Sequence, residues 1–147
     1  MPNVTTNQDL TYVNYVDVDG SSFAYTPPSD ANTVIYEFIT SCHYTSSGQM
    51  IFHVRFFLDN TEVTCKRHSY YNGFDNVVAI KIPLSLNNTT EDIANGKVGS
   101  WTSNKTMKLQ ARSYSSYYQA GLNQIYHWDG GSAYQLIKPT LEITSIA

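Results

Sequence analysis

The nine residues Met50-Ile51-Phe52-His53-Val54-Arg55-Phe56-Phe57-Leu58 constrain this chain more than any other stretch. Successive side chains of a strand point to opposite faces, so Phe52, Val54, Phe56 and Leu58 share one face and Ile51, His53, Arg55 and Phe57 the other. This predicts a central strand with a partly polar outer side. The same period of two runs through Thr33 to Thr40, where Val34, Tyr36 and Phe38 oppose Ile35, Glu37 and Ile39, and through Val77 to Leu86, where Val78, Ile80, Ile82 and Leu84 align. Both runs are of strand length and rich in β-branched residues. Lys105 to Ser113 sets Met107, Leu109 and Ala111 against Lys108, Gln110 and Arg112, and Thr140 to Ile146 sets Leu141 and Ile143 against Glu142 and Thr144. These read as half-buried strands with one wet face.

Turn chemistry separates the runs: Asp19-Gly20, Pro27-Pro28, Ser47-Gly48, Asp59-Asn60, Asn72-Gly73, Asn95-Gly96 and Asp129-Gly130-Gly131. That spacing predicts an all-β, antiparallel two-sheet sandwich. Thr89 to Asn95 is at most one helical turn, too short to shape the architecture. With 147 residues and no internal repeat, the chain reads as one domain over 20–147. It is led by an Asn- and Thr-rich arm or edge strand over 1–19.

Only 14% of the residues are charged, against about a quarter in an ordinary globular protein. Ser, Thr, Asn, Gln and Tyr must therefore cover the surface. Such a surface meets copies of itself with few charges to desolvate, which suits assembly or adhesion. The net charge is −3 and Lys and Arg are scattered along the sequence, so no basic stripe offers phosphate contacts and nucleic acid is excluded as a partner. No stretch nears the roughly 20 apolar residues of a membrane span, and Met1 to Asn7 has neither a basic nor an apolar leader region, so neither membrane insertion nor ordinary export is expected. The sequons at Asn3, Asn87, Asn88 and Asn104 then carry no weight. Cys42 and Cys65 are compatible with a disulfide, with buried thiols or with unrelated surface groups.

Catalytic and metal motifs are weak. Asp17-Val18-Asp19-Gly20 opens like a calcium loop, but Ser21, Phe23 and Pro28 stand at its fifth, seventh and twelfth positions, and the sixth lacks glycine. His43, His53, His68 and His127 show no zinc-gripping spacing, and His53 reads as an interior or interface group. No glycine-flanked nucleophile is present, and the carboxylate pairs Asp59/Glu62 and Glu91/Asp92 sit in turns. No enzyme activity, metal or cofactor is expected. The candidate contact residues are instead two aromatic clusters: Tyr114, Tyr117 and Tyr118 in a Ser-rich turn, and Tyr126, His127 and Trp128 before Asp129. Aromatics beside small polar residues serve interfaces and sugar-binding faces alike. Trp101 and Trp128 are equally compatible with packed corners of the core.

The runs Gly20-Ser21-Ser22-Phe23-Ala24-Tyr25-Thr26-Pro27-Pro28, Tyr36-Glu37-Phe38, Phe56 to Val63, Ser100 to Arg112, Trp128-Asp129-Gly130 and Lys138 to Ala147 resemble the C-terminal modules of virion and tail-fibre proteins of marine tailed bacteriophages. The resemblance implies a jelly roll like the tumour-necrosis-factor fold, commonly trimeric. It implies a non-enzymatic virion structural protein, made in the host cytoplasm, that decorates the capsid or forms a short fibre. Such a protein would work as a homotrimer and dock to capsid or tail proteins through the N-terminal arm. The short arm, with no shaft before it, favours a stand-alone virion protein over the tip of a long fibre. The alternative is a carbohydrate- or receptor-binding adhesin, in which Tyr114, Tyr117, Tyr118, Tyr126 and Trp128 stack on sugar rings of a host surface glycan while Asn123 or Asp129 binds hydroxyls.

Overall fold

The computed structural model describes residues 3–46, 48–72, 76–126 and 134–147. Their strands are β1 (Gln8–Asp9), β2 (Val16–Asp17), β3 (Phe23–Tyr25), β4 (Thr33–Tyr44), β5 (Met50–Leu58), β6 (Thr61–Glu62), β7 (His68–Asn72), β8 (Asn76–Ser85), β9 (Lys105–Ser113), β10 (Ala120–Leu122), β11 (Gln124–Tyr126), β12 (Tyr134–Leu136) and β13 (Thr140–Ile146). All pairings between them are antiparallel. The first sheet centres on β4, with β8 along one side and β13 followed by β10 along the other; β1 adds to β10. The second pairs β5 with β9, then adds β6 and β7 beyond β5 and β2 and β3 beyond β9. β11 and β12 form a separate two-stranded sheet beside β4. The two large sheets pack face to face as a sandwich.

The alternation read from sequence decides which side each strand buries. Val34, Tyr36 and Phe38 of β4 and Val78, Ile80, Ile82 and Leu84 of β8 meet Phe52, Val54, Phe56 and Leu58 of β5 and Met107, Leu109 and Ala111 of β9. The rings of Tyr36 and Phe56 lie 5.0 Å apart across the two sheets. Each large apolar side chain so buried contributes about 1.5–3 kcal/mol. Tyr36 keeps its hydroxyl satisfied by donating to the Ser21 carbonyl at 2.7 Å, and burial pushes its phenol far above the ordinary range.

The segment before Gly20 is an edge contributor rather than a detached arm. Leu10 and Val18 are core residues, the Leu10 amide donates to the Ala120 carbonyl and the Val18 amide to the Leu109 carbonyl. An apolar residue in each short strand region must be buried somewhere, and each enters the sandwich beside a different sheet. The turn expected within Thr89 to Asn95 is a 3-10 turn at Ile93–Asn95, closed by Gly96 at φ 73°. Cys42 and Cys65 are not joined: Cys42 lies in the core with its Sγ 3.4 Å from the Asn76 carbonyl, and Cys65 is on the surface. Trp101 is a packed corner, its indole N–H donating to the Tyr25 carbonyl at 3.0 Å.

Candidate functional site

The outer face of the second sheet gathers the chain's arginines. Residues paired across antiparallel strands share a face, so His53 of β5 stands between Arg112 of β9 and Ser69 of β7, and Arg55 stands beside Gln110. Arg67 enters from the residue after the 3-10 turn Thr64–Lys66. All three arginines of the chain therefore lie on this one face. Tyr15, carried just ahead of β2, lies over them: the Arg55 guanidinium is 3.7 Å and that of Arg112 is 5.2 Å from its ring centroid. Such cation–π contacts fix the guanidinium planes without neutralising them.

Two carboxylates compensate part of the charge. Glu62 accepts from Arg67 Nε at 2.6 Å and Nη2 at 3.1 Å and lies 3.8 Å from Arg55 Nε. The hydrogen bond from Arg67 holds the Glu62 carboxyl below its ordinary range, with the charges of Arg67 and Arg55 adding to it against burial. Asp17 accepts from Gln110 at 2.8 Å and from Lys108 at 2.9 and 3.0 Å, and these hydrogen bonds lower its carboxyl in the same way. Arg112 has no carboxylate partner among the described residues. Its Nε is buried without a hydrogen-bond acceptor there, as are Arg55 Nε and His68 Nε2. A buried polar group left without a partner costs about 1–3 kcal/mol, more when charged.

Between these groups lies a cleft of about 230 Å³, lined by Tyr15, His53, Arg67, His68, Ser69 and Arg112. His53 Nδ1 lies 2.7 Å from Ser69 Oγ. Burial and, after it, the positive charge of Arg112 hold the His53 imidazole below its usual range, so it is neutral at pH 7. Beyond His53 the face becomes aromatic. Ile51 is flanked by Tyr71 of β7 and by Tyr114, whose amide donates to the Ile51 carbonyl; both tyrosines are more than half exposed. The rings of Tyr114 and His53 are 6.2 Å apart.

The residues singled out from sequence are split by the fold. Tyr114, Tyr117 and Tyr118 come together in the turn after β9, with Tyr118 4.8 Å from Tyr117 and 6.4 Å from Tyr114, ring to ring. Tyr126 stands in the separate β11–β12 pair, stacked near His43 of β4 at 5.7 Å and edge-on to Tyr134 at 5.9 Å. Asn123 is interior and binds no external hydroxyl. It is fully buried, accepts from Thr40 Oγ1 at 2.8 Å, donates its amide to the Asp19 carbonyl, and holds a left-handed φ of 59°. Trp128, Asp129 and His127 lie outside the described residues. Sequence reasoning passed over Arg55, Arg67, Arg112, Ser69 and Tyr15. The available signal was the outward position of His53, Arg55 and Arg112 in two alternating strands, but only strand pairing makes those strands neighbours. Among the described residues no group of three His, Cys, Asp or Glu side chains is arranged to hold a metal, and no helix is long and apolar enough to cross a membrane. No protein-family model matches the chain and no curated protein matches it, so geometry carries the functional argument.

Proposed function

We propose that this chain is a non-enzymatic virion structural protein, a capsid decoration or short-fibre component with a tumour-necrosis-factor-like jelly roll that acts as a homotrimer. The resemblance of its strand-and-turn runs to phage virion modules supports the reading, as does its sparsely charged surface. The observation that carries it is the outer face of the first sheet. There Ile39 pairs with Ala79, and Ile35 with Pro83; Val77 is 64% and Ile146 47% exposed. The charges interrupting this apolar band are Glu37, ion-paired to Lys81 at 3.3 Å, and Glu142, set directly opposite Glu37. Docking to the particle falls to the N-terminal edge strands β1 and β2.

Light scattering at micromolar concentration tests the reading on the full chain, because removing residues 1–19 would take Leu10 and Val18 out of the core. A mass of three chains is expected, falling to one in Val77→Asp with unchanged circular dichroism. A monomeric full chain overturns the trimer. A second reading, an adhesin for host glycans, is favoured by Tyr117, 63% exposed and edge-on to Tyr118. Saturable glycan binding lost in Tyr117→Ala would support it.

A further inference from the structure

We infer that the arginine cleft on the outer face of the second sheet is a binding site for a carboxylate-bearing sugar, a uronic or sialic acid residue. This goes beyond the assembly reading, which concerns the opposite sheet, and centres the ligand on the arginines rather than on Tyr117. Four cations, Arg55, Arg67, Arg112 and Lys108, face two carboxylates, Glu62 and Asp17, so the face retains an excess of positive charge on a chain of net charge −3. The excess centres on Arg112, whose Nε is buried and without an acceptor among the described residues. A buried polar group without a partner in a folded protein calls for one, and Arg112 is a lining residue of the cleft.

The chemistry of that partner follows from the lining. The Arg112 guanidinium, 5.2 Å from the Tyr15 ring centroid, is a planar group whose fork matches the two oxygens of a carboxylate. At about 230 Å³ the cleft has room for one ring. Ser69 Oγ and the His53 imidazole offer neutral hydrogen-bonding groups to ring hydroxyls beside the charge. Tyr71 and Tyr114 flank Ile51 next to His53 and provide exposed aromatic faces for the apolar side of a sugar. A free inorganic anion would use the arginines but not this aromatic step.

Titration of the full chain at pH 7, followed by amide chemical shifts, tests the site with glucuronic acid, N-acetylneuraminic acid, glucose and inorganic sulfate. Saturable binding of at least one acidic sugar is expected, at least about tenfold tighter than glucose, since one charge-assisted hydrogen bond is worth that factor. The shifts should centre on His53, Ser69 and Arg112. Arg112→Gln should weaken binding at least about tenfold, Arg112→Lys less because charge persists without the fork, and Tyr117→Ala not at all. If Arg112→Gln does not fold, Arg67→Gln on the exposed rim replaces it with the same expected loss. The inference is overturned by no saturable binding of either acid, by glucose binding equally well, by sulfate binding as tightly as the acids, or by indifference to both arginine substitutions. Light scattering on the same samples follows the trimer independently, so either reading can fail without the other.

Discussion

Asn123 illustrates how a polar residue between two strands becomes architectural. It holds a left-handed backbone, which asparagine tolerates better than other non-glycine residues, and its side chain closes bonds to Thr40 and Asp19 inside the sandwich. Asn123→Ala should destabilise by about 2–4 kcal/mol, from unpaired buried partners plus the strained backbone. Asn123→Gly should cost about 1 kcal/mol less, because glycine accepts the backbone. Urea unfolding of the two variants checks the order. Two residues before it, a Cβ added at Gly121 would meet the Gln124 side chain, which would have to shift. His53 gives a second test at this scale. Its imidazole should titrate below the ordinary value near 6.5, and Arg112→Gln should raise it by removing the facing charge while the burial contribution remains. The side chain's proton resonances, followed against pH, report both.

At the scale of elements, β5 and β9 do two jobs because their alternation is strict. Their inner residues form the second sheet's half of the core, and their outer residues His53 and Arg112 line the cleft, with Arg55 beside it. Phe56→Ala, which empties a fully buried site against Tyr36, should cost about 3–5 kcal/mol. The long strands β4, β5, β8, β9 and β13 were readable because each has enough alternating positions to separate two faces. β4 runs on to Tyr44, past the expected end at Thr40, since β10 pairs with Cys42, His43 and Tyr44 beyond the end of β13. The two-residue strands β1, β2 and β6 have no period to read and exist because a longer neighbour presents an edge.

For the whole molecule, the pH dependence of stability follows from the outer face of the second sheet. The folded-state carboxyls of Glu62 and Asp17 are lowered, so their contribution is full above the unfolded value near 4 and is lost as the pH falls through the folded values. The lowered imidazole of His53 acts earlier: the unfolded chain takes up its proton first, and stability declines as the pH drops from about 6.5 through the folded value. Denaturant midpoints should thus fall in two stages on acidification, and the difference between the native chain and Glu62→Gln should close below about pH 4. If that difference persists at pH 2.5, the Arg67–Glu62 pair is not its source.

What the sequence by itself determined is the all-β class, the long strands and the side of each strand that is buried, because a period of two is written residue by residue and burial of apolar surface must obey it. The Ser-rich tyrosine turn was legible for the same local reason: its residues are neighbours in the chain. The meeting of Arg55, Arg67 and Arg112 under Tyr15 was decided only by tertiary structure. Scattered basic residues in a sequence of net charge −3 give no sign of a cationic cleft, and it took the pairing of β5 with β9 on one side and β7 on the other to bring them to one face. The same holds for Asn123, whose burial depends on Thr40 from a strand distant in sequence. Local alternation fixes which way a side chain points, whereas its neighbours across the sheet are set by register, and register is a property of the whole packed molecule.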